Sequence, residues 1–416
     1  MTTPTFGMQF SRPNDEPVPV LGADFSKALL VETSSDAAAG TFPIGEPVRF
    51  SSSDTTFTSK LGTGPLADAV KAINAQLSGL NAGADLTVLR VAESTDEDPE
   101  DALAETSANI VDALDDVGSI PSHVNATPRI IWAGRTAWRP DMNTANPVVV
   151  ALGTATERLL AVAPVDVDPT SAANAIDARE TMNSQRLMPV GIATKVFEGV
   201  DLVTRPAGPR VAGLFIRTDN DHFGKPFHPI ANQPVRGIAG LSRALPFSLL
   251  DGSTEGQQML ESEVSIIAPG ETGVDGAVAD GGFVFIGTDN TDTGELWKQV
   301  HQVRGADYLT VKIMQITRQF LGKLETVDLV EAWINSLAFM LRDHKAAGDI
   351  LGYSPKSQMF RRDRNSPESI RLGHLTVNIG IEPAPAFKLA NHEIRRYRPA
   401  VEGLVNDIIA RLSSVA

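Results

Sequence analysis

The chain has 416 residues, 42% of them hydrophobic, which is ample for a sizeable core spread over two or three domains. It has no cysteine, which excludes disulfides and thiolate metal sites, and its formal charge of −15 disfavours long-range attraction to DNA or anionic lipid. No stretch approaches the ~20 apolar residues that a membrane helix needs; the most apolar region, Pro147 to Val165, is broken by Glu157 and Arg158.

Met1 to Pro13 carries no cationic segment followed by an apolar run, so no Sec-type signal is expected and the reading is a soluble protein assembled in the cytoplasm. Thr2 to Gly22 has Pro13, Pro17 and Pro19 but no helical period, and Val18 and Val20 alternate with proline. That pattern reads equally as an extended arm and as an ordinary frayed terminus. From Phe25 short β-prone runs begin: Ala28–Val31, Val48–Phe50 and Leu86–Val91. Between the last two, Leu66, Val70, Ile73, Leu77 and Leu80 form one stripe of a helix over Pro65 to Leu80, with Pro65 suited to its first turn. The acidic run Glu93 to Glu105 lacks the alternation and glycine of a calcium loop and reads as the leader of a helix over Asp101 to Leu114.

From Pro128 to Thr218 strand and helix alternate. The strands are Arg129–Ala133, Leu160–Val167 and Leu187–Thr194; the helices are Pro147–Leu160, Ala172–Asn183 and Pro206–Arg217. That order predicts a mostly parallel sheet with helices on its faces. After Asn220, Gly and Pro are frequent up to Leu250, and Pro269 to Gly282 is loop-like. Two helices are expected next, roughly Glu295 to Leu321 and Val327 to Ala347, the second with Thr326 as its N-cap. Leu375, Val377, Ile379 and Ile381 alternate strictly with Thr376, Asn378 and Gly380, the pattern of a strand with one buried face. Pro383 and Pro385 stop it, and an extended piece, Phe387 to Ile394, leads to an amphipathic helix over Pro399 to Leu412.

Chemical motifs are weak. Gly62 to Ala67 fits a loose dinucleotide pattern, but a polar run, Ser51 to Lys60, stands where that fingerprint needs a strand. There is no P-loop Gly-Lys-Ser/Thr and no Gly-x-Ser-x-Gly elbow, and the histidines have no metal-ligand spacing. Arg361, Arg362 and Arg364 read as a solvated loop or as half of an intersubunit salt bridge. The residues name no catalytic, cofactor or metal site. A cytoplasmic α/β enzyme remains the alternative, and it would carry a deep polar pocket at the strand carboxyl ends.

Several blocks in order resemble the contractile tail sheath family, in the form found in temperate contractile-tailed phages and R-type pyocins. They are Phe6 to Phe10, Thr41 to Val48, Gly62 to Leu66, Leu86 to Val91 and Pro128 to Ile131, then His228 to Gly240, Met259 to Ile267, Gly281 to Gly287, and Gly373 to Val377 through Pro383–Pro385 to Leu389. Ile286 stands where the family often has an aromatic residue, and Asp289–Asn290 replaces a frequent Arg-Thr. The resemblance implies a multidomain α/β sheath fold: an N-terminal arm (1–22), an outer α/β region (23–220), an inner α+β core domain (221–386) and a C-terminal arm with helix (387–416). It further implies hexameric rings stacked around a tail tube, contacts with baseplate and tail terminator proteins, no nucleic acid, no membrane insertion, no cofactor and no enzymatic activity. Intersubunit arm strands are then expected at Phe10, Val18, Val20, Phe387, Leu389 and Ile394, and an acceptor sheet at Leu375, Val377, Ile379 and Ile381. A tube contact is assigned to Arg342, His344 and Lys345, with a core helix ending in a solvated tip as the competing reading.

Overall fold

The computed structural model describes residues 24–78 and 83–414. The expected arm, Thr2 to Gly22 with Phe10, Val18 and Val20, and the helix residue Leu80 lie outside the described residues.

In chain order, β1 (Ala28–Thr33) and β2 (Pro47–Ser51) precede helix α1 (Pro65–Leu77) and β3 (Asp85–Val91). Then come α2 (Pro99–Asp115), β4 (Ile130–Ala133), α3 (Pro147–Leu159), β5 (Ala163–Asp166), α4 (Ala172–Glu180) and β6 (Leu187–Val190). A hairpin of β7 (Thr194–Glu198) and β8 (Asp201–Arg205) leads to α5 (Gly208–Asp221), the short β9 (Gln233–Pro234) and β10 (Gly240–Leu241), and α6 (Glu255–Glu261). They are followed by β11 (Ile266–Pro269), β12 (Phe283–Ile286), α7 (Val300–Thr317), α8 (Val327–Ala346), β13 (Ile350–Tyr353), β14 (Ile381–Pro383) and α9 (Arg398–Ser413).

Strands β4, β5 and β6 of the alternating region run parallel, as expected, and β1 and β3 from before it continue the sheet. Strands β3, β1 and β4 run parallel, with β2 antiparallel at the edge, in the order β2-β3-β1-β4. Bridges at Ile130–Val162 and Val190–Ser265 carry it through the parallel pair β5–β6 to the antiparallel set β11-β12-β9. Because side chains alternate across a strand, β1 feeds two cores at once. Ala28 and Leu30 join α1 and α5 on one face, whereas Leu29 and Val31 join α2, α3 and α4 on the other. The first of these cores also takes Ile230, Val235, Ile267 and Phe285, so packing is continuous across position 220.

Helix α5 is buried from Gly208 to Asp219, and glycine permits two close approaches. A Cβ at Gly208 would lie 2.5 Å from Asp166 Oδ2, and one at Gly213 would lie 2.7 Å from Gln76 of α1. Two buried ion pairs tie α7 to the sheet layer. Arg304 grips Asp219 through Nη1–Oδ1 (3.0 Å) and Nη2–Oδ2 (2.5 Å) and stacks over Phe215, while Arg186 holds Asp307. A third core gathers Phe25, Phe227, Tyr308, Leu309, Ile334, Leu341, Ile350 and Met359 around α7 and α8. Thr326 caps α8 as expected, accepting from the Leu329 N–H, and Asp98, inside the acidic run, caps α2.

Four elements differ from the sequence expectation. The strand foreseen over Leu187–Thr194 ends at Val190, and Thr194 opens the β7–β8 hairpin, which turns at Gly199 (φ +65°). The α7 helix is shorter than the periodicity allowed, running Val300–Thr317. The strand foreseen over Leu375–Ile381 is regular only at Ile381–Pro383, and Phe387–Ile394 contains no strand. Extended chain becomes a ladder only where a partner edge lies beside it, which local alternation does not report. The described residues up to Ala384 form one compact unit, and a second, containing α9, begins at Pro385.

Candidate assembly surfaces

Strands β13 and β14 pair antiparallel as an isolated two-stranded sheet, Ile350 opposite Pro383 and Tyr353 opposite Ile381. The chain entering β14 is extended but is held by side chains and turns. Asn365 clasps Thr376 on both its N–H (2.8 Å) and its carbonyl (2.9 Å), and the Asn378 N–H donates to Met359 O (2.8 Å). Gly380 exchanges bonds with Ser354. Val377, Ile379 and Ile381 pack half-buried on the third core, while Thr376, Asn378 and Gly380 face solvent. A two-stranded sheet is marginal in water, and with no further strand on either side among the described residues it leaves edges at which a strand can add.

Beside this sheet an apolar hollow of about 480 Å³ is lined by Val327, Val330 and Ile334 of α8 and by Phe360, Ile370 and Leu375. Val327 is 82% exposed although it opens the apolar stripe of α8.

The unit that begins at Pro385 exposes its apolar side chains. Phe387 is 89% exposed and Ile394 97%, and Leu389 is exposed as well. In α9, Val401, Leu404, Val405, Ile408, Ile409 and Leu412 are all exposed, and the helix buries no residue. Their spacing of three and four makes one broad apolar face with no partner among the described residues of its own unit, the pattern of a surface completed by association. Five basic residues against three acidic ones give this unit a charge of +2, so the rest of the chain carries −17 of the −15 total.

The residues assigned to a tube contact separate. Arg342 and Lys345 are exposed on the last turns of α8, with Arg342 stacked on Phe339 and paired with Asp343. His344 does not belong with them. It is buried against Phe227 and Tyr308, and its Nδ1 bonds Asp349 Oδ2 at 2.7 Å. The helical period turns position 344 toward the core between two solvent-facing neighbours.

Other sequence candidates resolve locally. The Gly62–Gly64 turn leads into α1 with no preceding strand, and the Thr63 N–H and hydroxyl are held by Asp36. His222 and His228 stack at 3.5 Å between ring centroids, and the His222 Nδ1–H donates to Thr218 O. Arg361 pairs with Asp363 on an exposed loop. The β7–β8 hairpin, which periodicity missed, presents Phe197, Val200 and Leu202 to solvent.

The fold is that of contractile sheath subunits. The contracted helical sheath of the anti-feeding prophage superposes with a TM-score of 0.65, at 14% identity over 95% of this chain and 100% of that one. The contracted sheath complex of PVC, an extracellular contractile injection system, gives 0.64 at 12% identity over 95% and 99%. No family model matches the chain. In sequence, the tail sheath protein of Escherichia phage P2 is 23% identical over 369 residues, 86% of this chain and 87% of that protein. The resemblance to contractile tail sheath proteins read from the ordered blocks therefore holds.

Proposed function

We propose that this chain polymerises as stacked hexameric rings around a tail tube and contracts to drive that tube through a target cell envelope. The observation that carries the reading is the unit beginning at Pro385, whose apolar residues are exposed while the β13–β14 sheet stops at two strands. Strand addition would pair those edge groups, each bond contributing a net ~0.5–1.5 kcal/mol. In the assembly, Phe387, Leu389 and Ile394 of one subunit are the donor segment. The extended run through Leu375, Val377, Ile379 and Ile381 belongs to the acceptor sheet of the next. Thr2 to Gly22, with Phe10, Val18 and Val20, acts as the second arm on the strength of its sequence alone.

Residues 221–386 would then line the inside of the ring and residues 23–220 would face outward. Arg342 and Lys345 are the tube-facing pair, and baseplate and tail terminator proteins are the end partners. Contraction would switch nearly rigid bodies between two packings. A difference of even ~1–3 kcal/mol per subunit, summed along a sheath, stores the work of penetration without a nucleotide. The chain would assemble in a bacterial cytoplasm as a tail component, with a structural and not a catalytic role.

Negative-stain microscopy of the purified chain tests this. Tubes or stacked six-fold rings are expected. A variant lacking residues 2–22, or one ending at Ala384, should remain folded and fail to form them. A discrete particle that never polymerises at high concentration would falsify the reading, and tubes from either truncation would refute the arm assignment.

A further inference from the structure

The carboxyl ends of β1, β4 and β5 open on a cavity of about 280 Å³ bounded by the amino ends of α1 and α5. Sheets of this kind gather ligands at that end, where connections diverge and helix amino ends face the space. The volume suits a small group. Six charged side chains line it, and five have partners. Glu32 pairs with Arg135 (3.4 Å), and Asp68 with Arg205 (2.9 Å). Asp166 accepts from the Gly208 N–H (2.7 Å) and from Trp132 Nε1–H (3.1 Å).

The sixth is Arg210, in the first turn of α5 and 5% exposed. Its Nη1 donates to Pro206 O (2.9 Å), its Nε has no partner, and it forms no ion pair among the described residues. A buried guanidinium is costly unless its fork is occupied, and the fork matches the geometry of a planar or tetrahedral oxyanion. Asp166, the negative group that acts most strongly on it, is itself pushed toward its neutral form by burial.

We propose that this cavity is an oxyanion site, in which the Arg210 fork holds one phosphate- or carboxylate-sized group. The group comes either from a free anion or from an acidic side chain of a second copy of this chain. The full-length protein separates the two. If the source is a free anion, inorganic phosphate at fixed ionic strength raises the melting temperature by about 2 °C over chloride, whatever the protein concentration. Arg210→Gln and Ala137→Leu each abolish that rise. If the source is a second copy, phosphate has no stabilising effect, the melting temperature climbs with protein concentration, and both variants lessen the climb, leaving only the part that the terminal arms supply.

Ala137 lies half-exposed in the cavity wall, so Ala137→Leu fills the site with Arg210 intact and keeps the test valid should Arg210→Gln fail to fold. A melting temperature indifferent to phosphate, with no concentration dependence sensitive to Ala137→Leu, overturns the proposal. So does a phosphate effect that survives Ala137→Leu.

Discussion

His301 is 4% exposed, and its Nε2–H donates to Ala384 O (3.1 Å) at the end of the first unit, while Nδ1 is buried without a partner. Burial pushes its pKa down to about 4, against about 6.5 in an unfolded chain. Between those values the unfolded chain binds a proton that the folded chain refuses. Stability from this residue is therefore fully present above pH 6.5 and falls as pH drops toward 4, by about 3 kcal/mol over the window. His301→Gln keeps the donor and removes the titration, so it should flatten the urea midpoint between pH 7 and 4.5; an unchanged slope would assign the loss to other groups. Arg304 makes a second residue-scale case. Arg304→Met leaves Asp219 buried and unpaired and should cost about 3–5 kcal/mol in denaturant unfolding. Adding Asp219→Leu should return much of that, because no charge is then stranded.

At the scale of elements, the segment before β14 shows how far alternation reaches. Val377, Ile379 and Ile381 do share a half-buried face, as a period of two requires, yet the backbone pairs regularly only at Ile381–Pro383. Ile379→Asp sets a charge against the third core and should cost about 1–3 kcal/mol locally. Hydrogen exchange should lose protection at Ile350–Tyr353 and keep it across β1, β3 and β4; uniform loss would mean that the core of the large sheet depends on this edge. Helix α9 has the opposite character. Leu404→Glu with Ile408→Glu alters exposed positions, so unfolding should move by no more than about 0.5 kcal/mol. Sedimentation should nevertheless show assembly lost.

At the scale of the molecule, two properties lie side by side. The unit ending at Ala384 has continuous packing across position 220 and ion pairs binding α7 to α5 and to Arg186 just before β6, the features of a body that moves as one piece. The unit from Pro385 is basic within an acidic chain and exposes its apolar residues. Rigid bodies joined by exchangeable segments can change packing without refolding, which is what a contractile polymer demands. The charge contrast favours contact of this unit with an acidic surface, and a second copy of the chain provides one.

The sequence by itself determined the strand–helix order of Pro128 to Thr218, the α1 and α8 stripes and the Thr326 cap, because each is a local period or a local hydrogen bond. Its ordered blocks also carried the sheath resemblance. Only the tertiary structure decided that β11 and β12 extend the large sheet, that His344 turns inward to Asp349, and that Arg210 is buried without an ion pair. Those outcomes depend on which distant residues meet: Ser265 beside Val190, Asp349 beside His344, and Asp68 turned to Arg205 instead of Arg210. No period along the chain encodes such meetings; they follow from packing.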